Sequence, residues 1–333
     1  MISITKDYVL SILRNTEEYV SGEAISKQLG ISRAAVNTAV KALRAEGYDI
    51  RSSTNRGYHL FSVPDTLTAK ELSAYLSEDR MQSIHCYDSV DSTNNRLREL
   101  AINGAGDGTI VIANEQQHGR GRRMREFVSL KDRGIYLSIL LRPDALPSSV
   151  MEITAWTAVA INDAIEEVCG IRPGIKWVND LMLHQKKVCG ILTETSVESE
   201  TGYVQYVIIG IGINVNHSKN DFPDALRDIA TSLALEGCGT CSRAELAAAV
   251  IHKLDALRAA WPDNRGYYLG AYRRDNTTTG SEINVLSGRD VKSATALSIT
   301  DQFTLKVRYP DGSEEDLSSG EVSIRSTNSV TTN

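Results

Sequence analysis

The hydrophobic positions of the chain follow two spacings, one helical and one alternating. Ile4, Val9, Leu10, Ile12 and Leu13 recur at helical spacing over residues 4–14. Ser21 opens a short helix that Gly30 closes, and Ser32 opens a second one, 33–44, that ends near Gly47. Residues 48–50 and 57–60 read as two strands of a hairpin with a polar tip at 51–56. Val63-Pro64-Asp65-Thr66 punctuates the chain and ends this module. Beyond it come a helix over 68–80, a short strand at 84–87, a helix at 94–101 and two apolar β-branched runs at 108–113 and 135–141. A long helix, 150–169, carries Ile153, Trp156, Val159, Ala160 and Ile165. An alternating strand at 175–183 follows, then strands at 186–195 and 204–209, and a helix over 237–262. From Gly280 short alternating segments take over, at 282–286, 292–299, 304–309 and 321–325, with a turn at Pro310-Asp311-Gly312. They suit a small β-barrel, followed by a polar tail at 326–333. The fold class is therefore α+β with three domains: 1–63, an α/β domain at 64–272 and a β-domain at 273–326.

Two short helices joined through a glycine turn, followed by a hairpin, predict a winged helix-turn-helix. In the second helix Arg33, Asn37 and Lys41 share a polar face opposite Val36, Val40 and Leu43, and Arg51 and Arg56 sit on the wing. Residues 27–56 hold six Lys/Arg against two acids, +4 locally on a chain of net charge −6. A local basic surface of this kind suits the DNA backbone, with the second helix in the major groove. The alternative is a three-helix protein-interaction module.

Composition narrows the rest. The 333 residues, with 41% hydrophobic and 23% charged, suit a globular protein with a sizeable core. No apolar run reaches membrane-spanning length and no signal-peptide pattern opens the chain. Five cysteines, an odd number, suit a reducing compartment and a cytoplasmic location. Cys238 and Cys241 form one C-x-x-C; with no second pair or neighbouring His pair, it reads as incidental rather than as a zinc or redox site.

Candidate chemistry clusters in the central domain. The loop Gln116-Gln117-His118-Gly119-Arg120-Gly121-Arg122-Arg123-Met124-Arg125 joins two strands. Guanidinium groups grip carboxylate and phosphate oxygens, and glycines let the backbone come close. Ser92-Thr93-Asn94 opens a helix whose free N–H groups favour an anion or a ureido oxygen. Lys176 invites a phosphate and Asp180 a metal such as Mg²⁺, though a mutual surface ion pair explains both equally. Gly190 permits close backbone approach. No Walker phosphate loop and no Ser/His/Asp or Cys/His nucleophile arrangement stands out.

Ser-Thr-Asn, Gln-Gln-x-Gly-Arg-Gly-Arg-Arg, Lys-Trp-x-Asn-Asp-Leu, Lys-Val-x-Gly-Ile-Leu and Gly-Ile-Gly-Ile-Asn occur here in the order found in biotin–protein ligases. With its N-terminal module the chain resembles the bifunctional ligase/repressor form of that family over nearly its whole length. The resemblance implies a class II synthetase-like central domain and a C-terminal SH3-like barrel ending in Gly320-Glu321-Val322-Ser323. It implies biotin and ATP as substrates, Mg²⁺, and an acceptor lysine on the biotin carboxyl carrier protein of a carboxylase. It further implies operator DNA, and a homodimer when biotinyl-5′-AMP is bound. By the same resemblance Ser92, Thr93, Asn94, Gln116 and Lys187 surround biotin, and Arg120-Gly121-Arg122 closes over its carboxylate and the α-phosphate. Phe127 packs against adenine, and Asn179, Asp180 and Asn214 lie near the phosphates and metal. Arg120, Arg122 and Lys187 supply the charge stabilisation. Two residues depart from the pattern: Met124 stands where the family has glycine, which could stiffen the loop, and Val178 where it has proline. Two other readings remain at this stage. One is a transcription factor whose central domain only senses a ligand. The other is a lipoate ligase, expected to lack the paired-arginine loop.

Overall fold

The computed structural model describes residues 2–287, 290–318 and 321–324. The chain forms two compact units, Met1–Asp65 and Thr66–Asn333.

The first unit contains α1 (Ile2–Arg14), α2 (Gly22–Leu29), α3 (Arg33–Ala45), β1 (Asp49–Ser53) and β2 (Gly57–Ser62). The capping serines act as the sequence implies. Ser21 Oγ accepts from Ala24 N at 3.0 Å and Ser32 Oγ from Ala35 N at 3.1 Å, while Gly30 ends α2 at φ 64°. Val9, Leu10 and Leu13 of α1 pack with Ile25, Val36, Val40, Leu43 and Ile50 into one core. The wing is also bridged on its outer side by Val20: Val20 N donates to Tyr58 O and Tyr58 N to Val20 O, both at 2.8 Å. Gly57 makes that approach possible, since a Cβ there would lie 2.0 Å from Val20 O.

The second unit begins with α4 (Ala69–Leu72), α5 (Glu78–Met81), β3 (Ile84–Val90), α6 (Thr93–Ile102), β4 (Ile110–Gln116), β5 (Gly134–Leu141) and α7 (Val150–Cys169). It continues with β6 (Gly174–Lys176), β7 (Asp180–Leu183), β8 (Lys186–Val197), β9 (Val204–Asn214), α8 (Arg243–Ala260) and α9 (Arg265–Asp275). One mixed sheet runs β3-β4-β5-β9-β8-β7-β6, parallel only between β3 and β4. Its two faces follow from the period of two along a strand. Ile110, Ile112, Leu137, Ile139, Ile209 and Ile211 join the core formed with α7 and α8. Val111, Leu140, Tyr206 and Ile208 join the core formed with Leu97 and Ala101 of α6. A sheet covered on both faces reads as a near-continuous apolar run, as β5 does, interrupted by Ser138.

Several elements differ from the sequence expectation. The helix over 68–80 is two separate turns, because Ser77 is extended (φ −66°, ψ 155°) and caps a new start by accepting from Arg80 N. The single strand over 175–183 is a hairpin: β6 folds back on β7, with Ile175 opposite Leu181 and Lys176 opposite Asp180, and the Trp177–Val178 peptide between them is cis. The helix over 237–262 starts only at Arg243, since Gly237 (φ 99°) and Gly239 (φ 69°) hold left-handed backbone ahead of it. Helix α9 was not expected; it buries Tyr268, Ala271 and Tyr272 at i, i+3 and i+4.

The C-terminal strands β10 (Glu282–Ser287), β11 (Asp290–Ile299), β12 (Leu305–Arg308), β13 (Glu314–Leu317) and β14 (Glu321–Ile324) form an antiparallel sheet in the order β13-β12-β11-β10-β14. Among the described residues no pairing joins β13 to β14, so no closed barrel is seen. Arg325, Gly320 and the tail 326–333 lie outside the described residues. The sheet shares its core with the larger one, and Trp177 Nε1 donates to Phe303 O at 3.1 Å.

Just past β9 His217 is 1% exposed and stacks on Phe222, with no hydrogen-bond partner at either ring nitrogen among the described residues. Burial pushes its pKa down to about 4, against a raising effect from Asp221 and lowering ones from Arg133 and Arg243. The unfolded chain, with an ordinary imidazole, takes up a proton that the folded one refuses. The contribution is therefore fully present above pH about 6.5 and is lost as pH falls toward 4. Between pH 7.5 and 4.5 urea unfolding should show wild type losing about 2–3 kcal/mol more than His217→Phe, which cannot titrate.

Candidate functional site

A cleft of about 430 Å³, counting its open mouth, lies where the arginine loop crosses β8 and β9. Three glycines of those strands form its floor. A Cβ at Gly210 would fall 2.2 Å from Asn94 Oδ1, one at Gly212 2.5 Å from the Phe127 ring, and one at Gly190 2.7 Å from Lys187 Nζ. Each glycine therefore leaves room for one side chain that builds the site.

The inner wall is the first turn of α6. Ser92 occupies the capping position, but its side chain makes no capping bond, and Asp91 instead accepts from Asn95 Nδ2 at 2.6 Å. The free N–H of Thr93 goes to Gln116 Oε1 at 2.9 Å, and the Thr93 hydroxyl donates to the same oxygen at 3.0 Å. Gln116 Nε2 in turn donates to Ser129 Oγ at 2.8 Å. Buried beneath, the Ser138 hydroxyl lies 2.7 Å from Thr93 Oγ1 and 2.6 Å from Asn94 Oδ1. Asn94 Nδ2 donates to Glu194 Oε2 at 2.7 Å. Apart from Ser92, each of these side chains is held by another, so the wall is preorganised before any ligand arrives.

The loop brings the cations. Arg120 pairs with Glu194 at 3.1 Å and donates to Asn95 Oδ1 at 2.9 Å. Arg122 Nη1 donates to Asn179 Oδ1 at 3.1 Å, across from the β6–β7 hairpin. Arg123 holds a left-handed backbone (φ 54°, ψ 40°) within the short turn Arg122–Met124 and donates to Leu286 O of the C-terminal sheet at 3.0 Å. Phe127 lies on the glycine floor, edge-on to Tyr136 at 6.5 Å. Burial pushes the Tyr136 phenol up, so it stays protonated and donates to Leu130 O at 2.9 Å. On β8 Lys187 pairs with Asp180 at 2.8 Å.

Of the sequence candidates, Ser92, Thr93, Asn94, Gln116, Arg120, Gly121, Arg122, Phe127, Asn179, Lys187 and Gly190 line the cleft together. Lys176, Asp180 and Asn214 are not in its lining. Asp180 adjoins the lining as the partner of Lys187, not of Lys176, and Asn214 is buried, with Nδ2 donating to Thr231 O at 2.9 Å. Sequence reasoning missed Ser138 and Glu194. The signal for Ser138 was a lone hydroxyl in an otherwise apolar strand; for Glu194 it was an acid on a strand facing the arginine loop.

In the N-terminal unit Arg33, Asn37 and Lys41 are exposed on α3, opposite buried Val36, Val40 and Leu43. Arg51 and Arg56 are exposed as well, yet each is partly engaged. Arg51 pairs with Asp49 at 2.9 Å and lies 3.9 Å over Phe61, and Arg56 lies 4.7 Å over Tyr19. Arg44 ties helix to wing by donating to Ile50 O and Ser52 Oγ, both at 2.7 Å.

The chain thus holds a helix-turn-helix unit and a mixed-sheet unit with a polar, cationic cleft over glycines. The biotin/lipoate A/B protein ligase family model matches residues 86–214, and a helix-turn-helix domain model matches residues 5–59. The chain is 42% identical over 233 residues to the bifunctional ligase/repressor BirA of Bacillus subtilis, covering 70% of this chain and 71% of that protein. It is 28% identical over 326 residues to BirA of Escherichia coli, covering 96% of each. The biotin protein ligase from Aquifex aeolicus, solved in complex with biotin and ATP, superimposes with a TM-score of 0.63 at 27% identity, covering 73% of this chain and 98% of that one. The chain belongs to the family of bifunctional ligase/repressor BirA proteins.

The crowding at Gly210 gives a test of the wall. Gly210→Ala should cost about 1–3 kcal/mol by urea unfolding, as overpacking does. In an Asn94→Ala background, where the atoms it strikes are gone, the same change should cost under about 1 kcal/mol, a coupling that a double-mutant cycle reads directly.

Proposed function

We propose that the chain activates biotin with ATP to biotinyl-5′-AMP and pyrophosphate, transfers biotin to a lysine of a biotin carboxyl carrier protein, and represses transcription of biotin genes with biotinyl-5′-AMP as corepressor. The observation that carries the reading is the convergence of Ser92-Thr93-Asn94, Gln116, the Arg120–Arg122 loop, Lys187 and Gly190 on one cleft. These segments are far apart in sequence, and each matches a biotin-ligase motif.

A carboxylate resists attack by an amine because it would have to expel oxide. In the first step a biotin carboxylate oxygen attacks the α-phosphorus of ATP. The bond from that phosphorus to the bridging oxygen breaks, and pyrophosphate leaves with its electron pair. The product is a mixed anhydride whose AMP is a good leaving group. In the second step the acceptor lysine amine attacks the carbonyl carbon, AMP departs, and the amide nitrogen gives up its proton. Positioning and charge stabilisation supply most of the rate. Thr93, Asn94 and Gln116 hold polar groups of biotin, with Ser92 at the helix start. Arg120 and Arg122 hold the carboxylate and α-phosphate, and Lys187 adds a third cation. Gly121 and Gly190 keep backbone close to the ligand, and Phe127, displaced from its glycine floor, flanks the adenine. Asn179 and Asn214 support the phosphate end, and Lys176 is given no direct contact. The carboxylate of Asp180, with Asn179 beside it, is a hard oxygen donor of the kind Mg²⁺ takes. Bound there, Mg²⁺ would neutralise charge on the departing pyrophosphate. The lid of Gly119–Arg125 would keep water from the labile anhydride.

The C-terminal five-stranded sheet is read as an SH3-like module, and Arg123, reaching Leu286, supports its nearness to the lid. The exposed α3 face and wing are read as the operator contacts. No helix among the described residues is long and apolar enough to cross a membrane, and the five cysteines are free thiols. Both support a cytoplasmic place for the protein. A single winged helix reads one half-site, so tight operator binding requires two, and adenylate-ordered loops would favour the homodimer.

Two experiments test the two halves. With biotin, ATP and a carrier domain, the carrier should gain the mass of one biotinyl group. Arg122→Gly should let the adenylate escape and label bystander lysines, whereas unchanged selectivity would remove Arg122 from this role. Biotin and ATP together should tighten operator binding at least tenfold, about 1.4 kcal/mol of coupling. Superimposable titration curves with and without them would leave a ligase whose DNA-binding unit is uncoupled.

A further inference from the structure

The C-x-x-C that the sequence left without partners gains a third thiol in the fold. Cys169 is the last residue of α7, Cys238 closes the turn Ala234–Cys238, and Cys241 stands two residues before α8. Their sulfur atoms all lie within 4.8 Å of one another, and Cys169 Sγ is 3.7 Å from Cys241 Sγ. Cys241 is buried and the other two are partly so. The cluster therefore lies under the surface, away from the cleft lining described above.

That separation has a chemical meaning. Sulfurs on a tetrahedral zinc ion, with bonds of about 2.3 Å, stand about 3.8 Å apart. A disulfide needs two sulfurs bonded at about 2.05 Å and makes no use of a third. The local sequence is also that of a metal knuckle: two cysteines separated by Gly239 and Thr240, with the left-handed Gly239 turning the chain between them. Thiolates select soft or borderline ions, zinc foremost.

We propose that Cys169, Cys238 and Cys241 form a tricysteine site for a thiophilic divalent cation, Zn²⁺, with water as the fourth ligand. On binding, each thiol releases its proton to solvent and no electron is transferred. The ion clamps the end of α7 to the segment that leads into α8. That segment is stitched to the candidate active site. Asn216 Nδ2 donates to Cys241 O at 3.0 Å, and Leu233 N donates to Asn214 O at 3.0 Å. Further along, Lys187 N donates to Ile229 O at 2.8 Å and Thr231 N to Lys187 O at 2.9 Å. The site thus braces, through the 229–241 segment, the strand end that carries Lys187.

Cobalt is the probe, because tetrahedral Co²⁺ thiolates absorb through sulfur-to-metal charge transfer. The full chain, stripped with chelator and kept reduced, should take up one Co²⁺ per chain with that band, and Zn²⁺ should bleach it. Cys238→Ser and Cys169→Ser should each weaken or abolish the band while circular dichroism stays unchanged, and Cys86→Ser, on β3, should keep it. Should Cys241→Ser fail to fold, the partly exposed Cys238 carries the test. Absence of a stoichiometric band in the reduced protein overturns the proposal. So does a band that survives both Cys169→Ser and Cys238→Ser, or a disulfide among the three in a protein that binds no metal after reduction.

Discussion

The cleft depends on the missing side chains of three glycines in two adjacent strands. Strands β8 and β9 lie inside a sheet that is covered on both faces, where a side chain would ordinarily fill every position. Gly190, Gly210 and Gly212 leave a bare stretch of backbone, and Lys187, Asn94 and Phe127 come down onto it. Packing elsewhere is dense: twelve residues of α7, from Ile153 to Ile165, are buried. The sheet supplies the rigidity and the glycines supply a surface to which a flat ligand could lie close.

Charge is held in check around that surface. The cations of the site each meet a polar or acidic partner, Arg120 with Glu194, Arg122 with Asn179 and Lys187 with Asp180. Such partners keep the cations positioned at little cost in an open cleft, where an exposed pair contributes about 0–1 kcal/mol. At Arg122 an incoming phosphate or carboxylate can take over the bond to Asn179, since a charged acceptor makes a stronger bond than a neutral amide oxygen.

How far the fold was legible varies from element to element. Helix α7 was legible to the residue, because its apolar period is sustained and Gly170 ends it in left-handed backbone (φ 66°). The β6–β7 hairpin was not, because Ile175, Trp177, Leu181 and Leu183 keep the same alternation on both arms and hide the reversal between them. The C-terminal strands were mostly visible as short alternating runs. Their order in the sheet was not, since pairing between distant strands leaves no mark on local alternation. In the cleft, the motif residues were legible through their resemblance to a family. Ser138 and Glu194 were not, because a hydroxyl or an acid within a strand reveals its partners only when other segments fold against it. Cys169 escaped for the same reason.

The arginine loop is fastened to several parts of the chain at once: α6 and β8 through Arg120, the β6–β7 hairpin through Arg122, and the C-terminal sheet through Arg123. No single fastening is strong, and their partners, Asn95, Glu194, Asn179 and Leu286, are far apart in sequence. A loop mounted this way does not fray from one end; it lifts when several weak bonds break together. Were the loop to act as a lid, its opening would be a concerted event, and a ligand beneath it would leave no faster than that event allows.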